Sequence, residues 1–220
     1  MSRANLITFV NTFSYYRLLD SRFPIDRLDA IFIDGLLQVK LHNFFHKEKV
    51  DRASFDFSSW ANDCFESAQK NSVTIARIGA KPGEIAEAVR NLREKYNDLR
   101  VVYSRDGYFH SDGEIEELCN ILREKKPDIV ILGMGTPEQE ECALYLSEHG
   151  MLCSIITCGG FLTQTAKKPD YYNPLVKKFN LRWLQRAIEF EHIRKRLFID
   201  YPKNIARYFI DHIMLLLKKY

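Results

Sequence analysis

The chain has 220 residues, 46% of them hydrophobic and 28% charged, with a formal net charge of +3 at pH 7. That length fits one domain, or one domain with an appendage, and the apolar share is enough for a real core. The small net charge excludes a strongly basic nucleic-acid binder, and no apolar run reaches the roughly 18 residues that a membrane span requires. The charge is nevertheless uneven. From Lys177 to the end, eleven Lys and Arg face four Asp and Glu, a local net of +7, so the rest carries −4. A basic tail on a mildly acidic body points to an anionic surface as partner.

In chain order, "ANLITFV" (4–10) reads as a strand, and "DAIFID" (29–34) as a second that ends on Asp34 and Gly35. "SVTIARIG" (72–79) is a third, followed by a turn at Lys81, Pro82 and Gly83. "EIAEAVRNLREKY" repeats apolar residues at helical spacing. "LRVVYS" (99–104) is a fourth strand, and "GEIEELCNILREKK" a helix closed by Pro127. "DIVILGMG" (128–135) is a fifth strand, "EQEECALYLSEHG" a helix capped by Gly150, and "MLCSIITCGG" (151–160) a sixth strand. This alternation predicts an α/β fold of Rossmann-like type, a mostly parallel sheet with helices on both faces. In such sheets ligands bind at the carboxyl ends of the strands. Asp34-Gly35, Gly79, Gly133-Met134-Gly135 and Gly159-Gly160 stand at those ends.

After about residue 165 the pattern changes. "AKKPDYYNP" (166–174) reads as a loop, and helical patterns follow over 181–198 and 203–217, separated by Pro202. The expected division is an α/β body, 1–170, and a basic helical appendage, 171–220. The five cysteines, Cys64, Cys119, Cys142, Cys153 and Cys158, are odd in number and form no CxxC pair, which suits buried free thiols in a reducing compartment. "MSRANLITF" has neither a long apolar core nor a cleavage signal, so a cytoplasmic location is expected.

Several stretches allow two readings. "GMGTPEQE" (133–140) is either a tight strand-to-helix turn or a wall that brings bare backbone to a phosphate or sugar, with Gln139 as a neutral hydrogen-bonding arm. It fails as a dinucleotide fingerprint because Glu138 stands where GxGxxG needs glycine, which argues against an oxidoreductase. Asp34 is either a turn or N-cap residue or a base that takes a proton from a hydroxyl. His42 and His46 have the i, i+4 spacing of a metal pair. Neither an HExxH pattern nor a third ligand accompanies them, so a helix face is the plainer reading. "DGYFHSDGE" (106–114) is a loop over the sheet edge whose Tyr108 and Phe109 could line a base or sugar. The aromatic and basic tail is either a solvated hairpin or a binder of lipid head groups or a lipid diphosphate. Its apolar surface leaves homo-oligomerisation open.

In this order, these pieces resemble the WecG/TagA/CpsF glycosyltransferases, glycosyltransferase family 26, over nearly the whole chain. The resemblance rests on Asn11 after the first strand, Asp34-Gly35, Asp56 in "SFDF", the turn "GAKPGE" and Gly107-Tyr108-Phe109. It rests also on Gly135, Pro137, Gln139 and Glu140 of a Gly-x-Pro-x-Gln-Glu motif, on Gly159-Gly160 with Phe161, and on Leu181 to Arg186. It implies inverting transfer of a sugar from a UDP-sugar donor to a polyprenyl-diphosphate-linked sugar at the cytoplasmic membrane face. It makes the α/β body, 1–170, the nucleotide-sugar-binding part. No cofactor and no dedicated metal are implied.

Residue by residue, the resemblance makes Asp34 the catalytic base and puts Asn11, Gln139 and, most nearly, Thr8 in the substrate pocket. Gly35, Gly79, Tyr108, Gly133, Gly135, Pro137 and Gly160 complete the expected substrate wall. Arg186, Arg194 and Arg196 fall where appendage arginines meet the diphosphate. Glu138 and Glu140 read as structural. Three positions depart from the family pattern: Leu162 replaces an aspartate, Arg182 a glutamate, and "YYNP" an Arg-Ala-Pro segment. Leu162 keeps a catalytically silent nucleotide-sugar- or lipid-binding homologue as the alternative.

Overall fold

The computed structural model describes residues 3–168, 173–179 and 181–217. The body begins with strand β1 (Asn5–Val10), helix α1 (Thr12–Asp20), β2 (Ala30–Ile33), α2 (Leu36–Phe45) and α3 (Trp60–Lys70). It continues through β3 (Thr74–Gly79), α4 (Glu84–Lys95), β4 (Arg100–Arg105), α5 (Asp112–Lys125), β5 (Ile129–Gly133), α6 (Glu138–Glu148), β6 (Ser154–Thr157) and α7 (Phe161–Lys167). The six strands form one parallel sheet in the order β2-β1-β6-β5-β3-β4. The Rossmann-like α/β expectation is therefore met.

Strand alternation divides the core in two. Phe9, Ile75, Ile131 and Ile156 face α3, α4 and α7, whereas Leu6, Ala76, Ile78, Leu132 and Ile155 face α5 and α6. Helix α1 packs on the α6 side through Leu18, which meets Val10 and Leu144. Neighbouring strands β1 and β6, then β6 and β5, then β5 and β3, thus send the chain to opposite faces. Each reversal opens a crevice at the carboxyl edge.

The ends of β3 and β5 approach closely at Gly79 and Gly133, which are paired in register. A Cβ on Gly79 would lie 2.5 Å from the Gly133 carbonyl oxygen, so glycine is required there by space. Beside them, Arg77 of β3 is fully buried, and its guanidinium nitrogens have no hydrogen-bond partner among the described residues. Burial lowers its pKa to about 10, with Arg93 adding repulsion. All five cysteines are free; four are buried and Cys64 is half-buried.

Some boundaries differ from the sequence reading. The sixth strand is only Ser154–Thr157, because the chain leaves the sheet at Cys158 to make the Gly159-Gly160 turn. The predicted 166–174 loop is replaced at its start by α7 and at its end by α8 (Pro174–Lys178), while Tyr171 and Tyr172 lie outside the described residues. The tail pattern 181–198 is α9 (Arg182–Glu189), α10 (Glu191–Lys195) and a π-helical turn, Arg196–Asp200, that runs directly into α11 (Tyr201–Leu217). Pro202 does not separate two helices. It is the second residue of α11, at the junction where the π-helical turn passes into the α-helix.

Helix α11 returns across the body. Asn204 donates to the Thr12 carbonyl (3.0 Å), Tyr16 to Asp211 (3.0 Å) and Arg207 to Asp20 (2.7 Å), around a core of Tyr16, Leu41 and Tyr208. These contacts hold the tail over α1, beside the carboxyl edge of the sheet. Among the described residues no helix is long and apolar enough to cross a membrane.

Candidate active site

A cleft runs along the carboxyl edge in two adjoining lobes. The first, about 640 Å³, lies over β2, β1 and β6 and is closed by the tail through Arg182, Trp183, Arg186, Arg196 and Tyr201. The second, about 1050 Å³, lies over β5, β3 and β4 beneath Tyr108, Phe109 and Phe190. Met134, Gly135, Glu138, Gly159, Gly160, Arg186 and Arg196 line both.

Asp34 leaves the end of β2, held by its N–H to the Val10 carbonyl (2.8 Å), with its side chain in the first lobe. Arg52 brackets it: Nε donates to the Asp34 backbone oxygen (2.6 Å) and Nη2 to Oδ1 (2.8 Å). The same Nη2 donates to Asp56 Oδ2 (2.8 Å), so one cation serves two carboxylates. Asp56 also accepts from Ser54 and from the amide and hydroxyl of Ser58. Burial works to raise Asp56, but Arg52 and the serine donors outweigh it and hold the carboxyl below its ordinary value. Asp34 goes the other way. Burial pushes it up and Asp56 repels its charge, and Arg52 and Arg186 recover only part of this. A partly exposed carboxylate with a raised pKa is a better proton acceptor than an ordinary one.

Further positive charge lines the same cavity. Arg186 and Arg196 come from the tail and Arg17 from α1. Arg196 stacks over the Phe13 ring at 4.2 Å. Burial lowers its pKa, and repulsion from Arg186 and Arg17 lowers it further. Three guanidiniums repelling one another around a cavity form a site for an anion. Arg17 is partnered at the rim by Glu138 (3.0 Å).

A second carboxylate, Glu140, lies under the junction of the lobes. It is fully buried on the first turn of α6. Its Oε1 accepts from Thr8 (2.6 Å) and from the Gln139 amide (2.8 Å), while Oε2 has no hydrogen-bond partner among the described residues. Burial raises its pKa to about 7 against the pull of these donors.

The expected wall is only partly assembled. Asn11, Asp34, Gly35 and Gln139 line the first lobe, Tyr108 and Gly133 the second, and Gly135, Gly160, Arg186 and Arg196 both. Thr8 does not reach the cleft; it is fully buried and bonded to Glu140 and Thr157. Gly79 serves the packing against Gly133, and Pro137 leads into α6; neither lines a lobe. Arg194 turns away, its guanidinium closing the end of α9 on the Ala187 and Ile188 carbonyls.

Asn11 has a double position. Its Oδ1 caps α1 through the Phe13 and Ser14 amides (2.9 and 3.1 Å), which leaves its amide nitrogen for the cleft. Leu162 is fully buried in the core beside Gly133 and lines neither lobe, so the replaced aspartate alters the core, not the cleft wall. His42 stacks on His46, and His46 Nε2 lies 3.1 Å from His212 Nε2 of α11. Among the described residues no group of three or more His, Cys, Asp and Glu side chains could hold a metal ion. Sequence reasoning missed Arg17, Arg52, Trp183 and Tyr201. Only Arg52 carried a signal, its i, i+4 spacing from Asp56.

A profile of the glycosyl transferase WecG/TagA/CpsF family matches residues 2–216. The chain belongs to this family. The resemblance carried by the ordered motifs is thereby borne out. Over 211 residues the chain is 44% identical to a UDP-Gal:alpha-D-GlcNAc-diphosphoundecaprenol beta-1,4-galactosyltransferase of Shigella boydii, a match covering 95% of this chain and 87% of that protein. Over 127 residues it is 25% identical to an N-acetylglucosaminyldiphosphoundecaprenol N-acetyl-beta-D-mannosaminyltransferase of Staphylococcus aureus strain NCTC 8325. That match covers 58% of this chain and 49% of the relative.

Proposed function

We propose that the chain transfers a sugar from a UDP-sugar to a sugar carried on a polyprenyl diphosphate, with inversion at the anomeric carbon. The observation that carries this reading is Asp34, a carboxylate of raised pKa in a cavity that arginines also line. In the step we propose, the acceptor hydroxyl attacks the anomeric carbon while Asp34 takes its proton. The bond from that carbon to the UDP oxygen breaks, and UDP leaves with the bonding electrons. Arg186, Arg196 and Arg17 meet the charge that grows on the diphosphate, so this scheme calls on no dedicated metal.

The Shigella boydii relative, matched over most of both chains, makes UDP-galactose the first donor to test and a GlcNAc-diphosphate lipid the first acceptor. Residues 171–220 are proposed as the acceptor- and membrane-facing unit, peripheral to the inner face of the cell membrane. Ile210, Ile213, Met214 and Leu217 form an exposed apolar stripe on α11, with Phe44 nearby through its contact with Phe209. Such a stripe in a basic tail suits a surface of anionic lipid.

The test is UDP release from a panel of UDP-sugars, with and without a short-chain GlcNAc-diphosphate lipid, for wild type and Asp34→Asn. Acceptor-dependent release is expected from one donor, with a fall of about 10²–10⁴-fold in kcat for the variant. Full activity in Asp34→Asn would remove the base assignment. No turnover with any donor, alongside intact UDP binding, would favour a silent binding homologue.

A further inference from the structure

Glu140 is unusual in having a carboxylate without a cation. It is fully buried, and among the described residues one of its oxygens has no hydrogen-bond partner and no cation pairs with it. The groups that face it are Thr8 of β1, Thr136 of the turn after β5, and Gln139. On the packed helices, Glu138 of α6 and Arg17 of α1 pair with each other at the rim, and Glu141 follows Glu140 on α6.

The hydrogen bonds around Glu140 have a fixed direction. The Thr8 hydroxyl has one proton and gives it to Glu140, so the Thr157 hydroxyl must donate to Thr8 (2.7 Å). On the other side the Gly159 amide donates to Gln139 Oε1 (3.1 Å), which fixes the amide flip and turns Gln139 Nε2 toward Glu140. Both chains of donors end on one oxygen, Glu140 Oε1. That arrangement needs an acceptor, which the ionised carboxylate supplies. A proton on Oε1 would face the Gln139 amide hydrogen, and a proton on Oε2 would have no acceptor.

The far end of this network is the cleft. Gly159 has a φ of +53°, in the left-handed region, and with Gly160 it lines both lobes. A Cβ on Gly133 would lie 2.9 Å from the Gly159 oxygen, so the turn also rests directly on β5. We propose that Glu140 is a positioning residue: its carboxylate orients Gln139, and Gln139 holds the Gly159 amide and so the turn that joins the two lobes. It touches no substrate; it acts through Gln139. In transfer this turn stands between donor and acceptor, a step that rests on the reading of the cleft under Proposed function. With a pKa near 7, the carboxylate becomes a neutral carboxyl as pH falls through neutrality; Oε1 is then a weaker acceptor for Gln139, and the turn loosens with it.

The test uses the full chain and no substrate in its first arm. Cys158-Gly159 is the sequence's one Cys-Gly step, so carbonyl-¹³C cysteine with ¹⁵N glycine isolates the Gly159 amide by NMR. Its shift is expected to titrate with a midpoint near 7 in wild type. In Glu140→Gln, which keeps the shape but cannot ionise, it is expected not to titrate. Thr8→Val removes a donor that favours the ionised form, so there the midpoint is expected to move up. It also serves if Glu140→Gln fails to fold.

The second arm measures transfer across the same pH range. Glu140→Gln is expected to raise KM about tenfold, with kcat within about threefold, and to lose the near-neutral change in KM. A Gly159 amide that does not titrate, or a midpoint unmoved in Thr8→Val, overturns the proposal. So does a KM unaffected by Glu140→Gln. If no sugar is transferred at all, the transferase reading fails while the Gly159 titration still decides this one.

Discussion

Asp56 and Glu140 lie under the same edge of the sheet and are kept there in opposite ways. Asp56 is crossed by the Arg52 guanidinium and gathers three further hydrogen bonds from serines, and its carboxyl is held below its ordinary value. Glu140 receives only neutral donors and is left with one bare oxygen, and its pKa rises to about 7. The comparison teaches that burial alone does not decide how a carboxylate behaves; the presence of a cation does. Asp34 lies between the two cases. It shares Arg52 with Asp56 but has none of the serine donors that Asp56 gathers, so Arg52 positions it without fully suppressing its basicity. That is what a general base in the cleft needs, and it is why the chemistry is assigned to Asp34 and the fixing of geometry to Asp56.

The largest way to break this comparison is to remove the shared cation. In Arg52→Ala two neighbouring carboxylates lose their counter-ion, and Arg52 is only 18% exposed as a side chain. Loss of one partner from a buried pair leaves uncompensated charge, so a cost of about 3 kcal/mol is expected by urea unfolding at pH 8. The acidic limb of the activity profile moves to higher pH, because Arg52 is what pulls the Asp34 pKa down. A cost below about 1 kcal/mol would mean that water already screens this corner, and the contrast with Glu140 would lose its basis.

The other corner is sharpened by a stability measurement. Glu140 has a folded pKa of about 7 against an ordinary 4.5, so between these values the folded state binds more protons than the unfolded one. Stability must therefore fall as pH rises through that window. At about 1.4 kcal/mol per unit, wild type should lose about 3 kcal/mol relative to Glu140→Gln between pH 4.5 and pH 7, read from paired denaturation curves. Asp56 predicts the reverse: its lowered pKa supplies stability above the ordinary carboxylate range that is lost as pH falls into acid. Parallel curves for wild type and Glu140→Gln would place the titrating group elsewhere.

How much of this was visible in the sequence depended on whether the signal was local. The strands were legible because a parallel sheet buried on both faces needs continuous apolar runs, and Asp34 because it stops such a run. Helices α1 and α2 were not read as helices from apolar spacing. Leu36 and Leu37 of α2 face the cleft and Phe44 is exposed, so the apolar residues there follow no single buried stripe. Arg17 is separated from Arg186 by most of the chain, and a lone arginine reads as surface until folding brings it to the cavity that Arg186 lines. The Gln139-Glu140 bond was hidden for another reason. Adjacent helical residues do not ordinarily face each other, and these two meet only on the first turn of α6. Thr8 was sought in the pocket and belongs beneath it, one step back along the same network.

Arg77 extends the comparison to a buried cation. Like Glu140 it has no ion-pair partner among the described residues, but its guanidinium has no hydrogen-bond partner among them either, and it lines neither lobe. Replacing buried charge with an apolar side chain of similar length is often stabilising. Arg77→Met is expected to gain about 2 kcal/mol in denaturation experiments, with UDP affinity unchanged. A large loss of stability would mean that Arg77 holds a partner in solution, and the claim that this edge tolerates an uncompensated charge would then apply to Glu140 alone.

The smallest effect separates two roles of one residue at the paired corner. Asn11 stands over Gly35, where a Cβ would lie 3.1 Å from its own, and it both caps α1 and borders the lobe that holds Asp34. Losing a cap of this kind costs about 1 kcal/mol. Serine caps as well as asparagine but has no amide nitrogen to offer a ligand. Asn11→Ala should therefore lose about 1 kcal/mol, and Asn11→Ser less than about 0.5 kcal/mol, by thermal unfolding. If the Asn11 amide binds substrate, the two variants lose affinity together despite their different stabilities. If only the cap matters, activity follows stability and Asn11→Ser behaves as wild type. Either result bears on Asp34, because the start of α1 and the end of β2 are held against each other at that point, and a loosened α1 would move the base as well as the cap.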